Sequence, residues 1–77
     1  MPRTRHIFAG NYKNGTVLHK TVADDELLIE EELDEMLTET GYPCSVWATF
    51  DGQYPIDECC EEFARYMEWK AGKMNIA

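Results

Sequence analysis

The chain has 77 residues, of which 44% are hydrophobic and 12% aromatic, and its formal net charge is −8. The apolar content excludes a disordered acidic tail, and the length favours one domain over residues 1–77. A strongly anionic surface repels nucleic acid and anionic membranes but attracts basic partners. Three cysteines that include an adjacent pair, with no signal peptide or membrane span, indicate reduced thiols in the cytoplasm.

A basic β-hairpin is predicted over residues 5–22. Asn14 and Gly15 lie between two segments rich in β-branched and aromatic residues, and this pair favours a tight two-residue turn. With that turn Phe8 pairs with Thr21, whereas a longer loop would change the register. The hairpin also concentrates basic charge, because the first twenty residues carry +4 and the remainder carries −12.

A highly acidic helix is predicted over residues 24–40. Its first part reads DDELLIEEELDEML, which contains eight carboxylates and no lysine or arginine. Apolar residues and one threonine recur at helical spacing and predict the buried stripe: Ile29, Leu33, Met36, Leu37 and Thr40. Asp24 is expected to cap the start of this helix, with Thr21 as the alternative cap.

A third strand is predicted at residues 44–50, where CSVWATF alternates in character, and a second acidic helix at 56–71. The tail, residues 73–77, is expected to fray. The order ββαβα predicts an α+β fold, a two-layer sandwich with a small, mostly antiparallel three-stranded sheet and two amphipathic helices on one face. Both helices would then turn their acidic sides in the same direction.

The outward side of the first helix is predicted to bind a partner. Glu31, Asp34 and Glu35 lie opposite the apolar stripe, and like charges at these spacings destabilise a helix. A locally unfavourable pattern indicates function, although a solubilising surface is the simpler alternative. Leu27, on the same side, is a second exposed apolar anchor or part of a frayed first turn.

The second helix is predicted to extend that surface. Glu58, Glu62, Arg65 and Trp69 share one outward stripe, and an exposed tryptophan beside arginine is typical of an interface hot spot. A local cation–π stack of Arg65 on Trp69 is the alternative. The predicted partner-binding set is therefore Glu31, Asp34, Glu35, Glu58, Glu62 and Trp69.

A further interface is predicted at the sheet, where alternation places Trp47 on the face away from Val46 and Phe50. Together with Tyr12, this tryptophan would form a dimer seam or second interface, because an open aromatic face leaves an apolar patch. An RNA-stacking platform is the alternative, although residues 1–20 contain only four lysine and arginine residues.

No catalytic residue, cofactor or metal site is predicted. His6, His19, Cys44, Cys59 and Cys60 supply ligand atoms without the spacing of a zinc site, and the adjacent cysteines are interpreted as small core residues. Exposed helical carboxylates lack the burial that a general acid needs. The chain is therefore expected not to be an enzyme.

The predicted function is inhibition by binding. The first helix extends roughly 22 Å from Asp24 to Glu39, and duplex DNA carries about 13 phosphates over that length, against nine carboxylates here. In size, charge and lack of a catalytic motif the chain resembles small acidic proteins of phages and mobile elements, including DNA mimics and anti-CRISPR proteins. This resemblance implies an inhibitor that occupies a basic nucleic-acid-binding groove of a host complex; the alternative is a structural or adaptor module that homodimerises through its sheet face.

Overall fold

The computed structural model describes residues 3–74 and contains five elements in the predicted order. They are β1 (Thr4–Asn11), β2 (Val17–Ala23), α1 (Glu26–Thr40), β3 (Ser45–Asp51) and α2 (Ile56–Met74). All three strands form one antiparallel sheet with the order β2-β1-β3. The predicted α+β class and the ββαβα order are confirmed.

The hairpin loop is longer than the predicted two-residue turn. The backbone amide of Asn11 donates to Thr16 O, and that of Gly15 donates to Asn11 O, so the chain reverses over five residues. Within this loop only Gly15 has a positive φ, at 80°, whereas the predicted tight turn needs a positive φ at both central residues. The strands consequently shift by two positions, and Phe8 pairs with His19 rather than with Thr21. A shift of two keeps each side chain on its predicted face.

The side chain of Asn11 ties this loop to the end of α1. Its amide group donates to the carbonyl oxygens of Thr40 and Gly41, both at 3.0 Å. Its carbonyl oxygen accepts from the backbone amides of Lys13 at 2.9 Å and Asn14 at 3.1 Å. Every hydrogen-bonding group of this buried side chain has a partner, as burial of a polar group requires.

The two helices pack on opposite faces of the sheet, so the prediction that both lie on one face in a two-layer sandwich is wrong. Central strand β1 supplies the physical reason, because consecutive residues Ile7, Phe8 and Ala9 are all buried. Successive strand side chains point to opposite faces, so both faces of β1 must be covered. One core joins Ile7 and Ala9 to α1, and the other joins Phe8 to α2.

The helix boundaries differ slightly from the predicted ones. Asp25, rather than Asp24 or Thr21, caps α1, and its carboxylate accepts from the backbone amide of Leu28 at 3.1 Å. Helix α2 continues to Met74, so the first two residues of the predicted frayed tail are helical, and 75–77 lie outside the described residues. Within residues 3–74, no helix has the length and apolar character needed to cross a membrane.

The buried face of α2 includes only one of the two adjacent cysteines that were interpreted as core residues. Cys59, Phe63 and Met67 are buried, whereas Cys60 is exposed and Ile56 is 37% exposed. The three buried positions recur at i, i+4 and i+8 along the helix. Of the two adjacent cysteines, only Cys59 is a core residue.

Candidate functional site

An open groove runs between α1 and edge strand β3. It exists because the apolar stripe of α1 packs mainly against β1 and β2, where Leu18 and Val22 join the core. Trp47 and Thr49 of β3 point to the same face of the sheet but lie beside the helix rather than beneath it. This α1–β3 groove has a volume of about 740 Å³.

The lining of the α1–β3 groove is largely apolar. Ile29, Leu33 and Leu37 of α1 contribute to it, together with Leu27 and Trp47. Leu27 is 75% exposed and Trp47 is 54% exposed, which is unusual for large apolar side chains that lie close together. A contiguous exposed apolar surface with a polar rim is typical of a protein-interaction site.

Carboxylates form the rim of this groove. Four of them line it, and they all come from α1: Glu26, Glu30, Glu31 and Asp34. No lysine or arginine lines the groove within the part of the chain that the structure describes. The site therefore combines an apolar floor with an uncompensated negative rim.

The remaining acids of α1 lie on the β2 side and meet a basic residue there. Lys20 Nζ lies 2.6 Å from Glu32 Oε2. The hydrogen bond and the charge of Glu32 raise the pKa of Lys20, and the charges of Glu35 and Glu39 act in the same direction. Glu35, predicted to bind a partner, is thus beside an intramolecular cation, whereas Glu31 and Asp34 line the groove.

The acids of α2 form a separate surface. Glu58 and Glu62 line a different depression of about 510 Å³, with Phe50, Tyr54 and Arg65 among the other lining residues. Because α2 packs on the other face of the sheet, these acids point away from the α1 rim. The prediction of one continuous acidic surface over both helices is wrong.

Trp69 is exposed, as predicted, but its ring contacts Tyr66 and Lys73 rather than Arg65. The ring is 55% exposed and stacks on Tyr66, with 6.1 Å between ring centroids. The ammonium of Lys73 lies 4.9 Å from the Trp69 ring centroid. Arg65 instead lies 3.6 Å from Glu62. The predicted Arg65 stack is therefore replaced by a Lys73 contact.

Tyr12 and Trp47 pack on opposite faces of the sheet. Tyr12 packs against the core beneath α2, whereas Trp47 pairs with Ala9, which faces α1. The two residues share only the border of an open depression at the end of β3. Strand alternation placed Trp47 correctly on the face opposite Val46 and Phe50. Which hairpin residues share that face depends on the register of β3 on β1, which pairs Trp47 with Ala9.

Sequence reasoning missed the role of Glu26 and Glu30 beside Leu27. Neither glutamate belongs to the predicted partner-binding set, yet positions 26, 30 and 34 repeat at i, i+4 and i+8 along one flank of the helix. That repeat can be seen in the sequence. The sequence does not show which flank of the helix faces an open sheet edge.

Within residues 3–74, no group of three or more His, Cys, Asp or Glu side chains is placed to hold a metal ion.

Comparison of the chain with protein-family models, curated proteins and solved structures gives no match. The function proposed below is inferred from the geometry of the α1–β3 groove.

Proposed function

We propose that this protein is a non-enzymatic, cytoplasmic binding protein whose α1–β3 groove holds a basic segment of a partner protein. The observation that carries the proposal is the combination of an exposed apolar floor, formed by Leu27 and Trp47, with four rim carboxylates and no basic lining residue. The aliphatic stems of lysine and arginine can lie on such a floor while their charged ends reach carboxylates. Opposite charge also speeds association by electrostatic steering.

Inhibition of a nucleic-acid-binding complex is the function we propose for this binding. Surfaces that bind nucleic acid are rich in lysine and arginine, and a phage-encoded or mobile-element-encoded acidic protein could block one of them. The proposed contact is narrower than the one first predicted, because it uses α1 and not α2. The acids of α2 and Trp69 are left for solubility or for a separate contact.

The charge density of the groove rim favours capture of a basic segment over imitation of a DNA duplex. From Glu26 to Asp34 the helix rises about 12 Å, and duplex DNA carries about 7 phosphates over that distance. The groove rim offers four carboxylates from this stretch. Without the acids of α2 the charge density is only about half that of DNA, and the apolar floor has no counterpart in a phosphate backbone.

The proposal is tested with two short peptides that contain both lysine and valine, one patterned as a strand and one as a helix, and with polylysine of equal charge. Trp47 emission reports binding in a Trp69→Phe background, which leaves Trp47 as the single tryptophan. We expect at least one mixed peptide to bind more tightly than polylysine, because its valines add apolar contact area to that of the lysine stems.

The matched control compares two double charge reversals. Glu30→Lys with Asp34→Lys alters the groove rim, and Glu58→Lys with Glu62→Lys makes the same change in net charge on α2. We expect the first pair to abolish peptide binding and the second to change it little. Equal losses from both pairs would show that net charge alone attracts the peptides and would overturn the proposal.

The inhibitor role is tested by capture from a host lysate with the same two reversed proteins as controls. We expect identified nucleic-acid-binding proteins to be retained by the wild type and by the α2 reversal but not by the groove reversal. Their loss of nucleic-acid binding on addition of the wild-type protein would show inhibition. Captured proteins that still bind nucleic acid normally would refute it.

A further inference from the structure

Edge strand β3 presents unpaired backbone groups beside the α1–β3 groove. In the sheet order β2-β1-β3, strand β3 pairs on one side only. Tyr12 N donates to Cys44 O and Gly52 N donates to Thr4 O, so the even-numbered residues of β1 and β3 direct their backbone groups toward each other. By alternation, the N–H and C=O groups of Trp47 and Thr49 point to the open edge.

The side chains on this edge do not protect it against strand pairing. Strands at sheet edges usually carry lysine, proline or other features that block pairing with another chain. The other edge strand, β2, has the charged Lys20 beside His19 in its centre, whereas β3 reads SVWATFD and has no charged residue before Asp51. Strand β3 is therefore the edge that is open to an additional strand.

An added strand would place alternate side chains in the α1–β3 groove. Residues directly opposite Trp47 and Thr49 would project to the same face of the sheet as these two residues, toward α1. Alternate side chains of a strand lie about 6.8 Å apart. The rim carboxylates of Glu26, Glu30 and Asp34 recur about every 6 Å along the helix. The two spacings are similar, so a strand that runs along α1 would bring one basic side chain to each carboxylate.

We infer that the partner segment adds to β3 as a fourth strand, with lysine or arginine at alternate positions over the α1–β3 groove and small apolar residues between them. This inference rests on the proposed function and specifies the conformation and the sequence pattern of its partner. Backbone hydrogen bonds to Trp47 and Thr49 supply affinity, as in other cases of strand addition. The basic side chains cross the Trp47 ring and end at the rim, which selects for positive charge.

Charge excludes a second copy of this chain as the favoured occupant. Antiparallel pairing of β3 with β3 of another copy would place both grooves on the same face of a continuous sheet. Two rims of four carboxylates would then meet across the seam, and the groove linings include no lysine or arginine within residues 3–74. Each chain also carries a net charge of −8.

The experiment uses two peptides of identical composition and of about seven residues, the length of β3. One alternates lysine with valine, and the other rearranges the same residues to a helical period. We expect the alternating peptide to bind at least about tenfold more tightly, because only it can align with the edge. Equal or tighter binding of the helical pattern would overturn the inference while leaving the proposed function intact, and failure of both peptides would remove the proposed function itself.

Backbone methylation provides the matched control. N-methyl groups are placed in the alternating peptide either at the residues that face β3 or at those that face solvent. We expect methylation on the inner edge to weaken binding about tenfold or more and methylation on the outer edge to have little effect. Amide exchange of Trp47 and Thr49 should slow in the complex. Equal effects from the two methylation patterns would overturn the inference, as would a stable wild-type dimer in sedimentation that dissociates on Trp47→Ala.

Discussion

Lys20 of β2 forms an ion pair with Glu32 of α1, with 2.6 Å between Nζ and Oε2. The pair joins the basic hairpin to the acidic helix within one molecule. It offsets part of the repulsion along α1, because Lys20 also lies near Glu35 and Glu39. The acidic helix is therefore compensated on the side that faces β2 and uncompensated on the side that faces β3.

Replacement of Lys20 by methionine should lower the stability of the protein most strongly at low salt. The raised pKa of Lys20 means that its contribution is complete at neutral pH and is lost only as the pH rises through that pKa, above about 10.4. The urea midpoint should fall at low ionic strength, and the difference should shrink near 1 M salt, where the Debye length is about 3 Å. Lys13→Met, in the exposed loop, is the control and should have little effect. A salt-independent loss would show that Lys20 acts through packing instead.

Asn11→Ala should destabilise the protein by about 1–3 kcal/mol or more, because it leaves several backbone groups without partners. The carbonyls of Thr40 and Gly41 lose their donor, and the amides of Lys13 and Asn14 lose their acceptor. Urea unfolding measures the change in the free energy of unfolding.

Asn11→Asp separates the hydrogen bonds that Asn11 makes to the end of α1 from those that it makes within the hairpin loop. The carboxylate keeps an acceptor for the loop amides but cannot donate to the end of α1. The variant should therefore be less stable than the wild type but keep the structure of the loop. Hydrogen exchange of the Lys13 amide, which bonds to the side chain of residue 11, should then stay slow. A neutral effect of Asn11→Asp would mean that the bonds to α1 contribute nothing to stability.

Gly10→Ala should destabilise the core beneath α2 by about 1–3 kcal/mol. A Cβ at this position would lie 2.6 Å from Met67 Sδ and 3.0 Å from Phe63 Cε2. Gly72→Ala is the matched control, because a Cβ there would meet nothing within 4 Å and the residue lies in α2. That change should stabilise the protein by about 0.5 kcal/mol through helix propensity. Similar thermal midpoints for the two variants would contradict this packing.

The histidine cluster should make the protein less stable on mild acidification. His6 Nε2 donates to Tyr54 O at 3.1 Å, and His19 Nε2 lies 3.4 Å from His6 Nδ1 and 3.2 Å from Thr21 Oγ1. Burial and then the charge of His6 lower the pKa of His19. The unfolded chain therefore binds the proton more readily, and the stabilisation present above pH 6.5 should fade as the pH falls through the lowered pKa.

His19→Gln tests this expectation. The variant should lose less stability than the wild type between about pH 7 and pH 5, because it removes the group that titrates. Thermal unfolding at several pH values in one buffer series would measure the two slopes. Parallel slopes would show that other groups cause the acid sensitivity.

Much of the local structure could be predicted from the sequence. Period-two and helical patterns identified all five elements, and the alternation of CSVWATF placed Trp47 on the correct face. These features depend on local geometry, because the direction of a side chain follows from its position in a strand or a helix. The hairpin loop was harder, because Asn11 has bonding partners in α1 that a local turn pattern does not contain.

The candidate site depended on relationships between distant elements. The pattern of residues predicted that α1 is acidic, that its apolar stripe includes Leu33 and Met36, and that Trp47 points away from the face of Val46. The packing of α1 and α2 on opposite faces emerges only in the folded chain, because it depends on β1 being the central strand with both faces buried. That arrangement separates the two acidic surfaces and leaves β3 open beside α1. A surface is made by residues far apart in the chain, so its continuity cannot be read from the pattern of either helix alone.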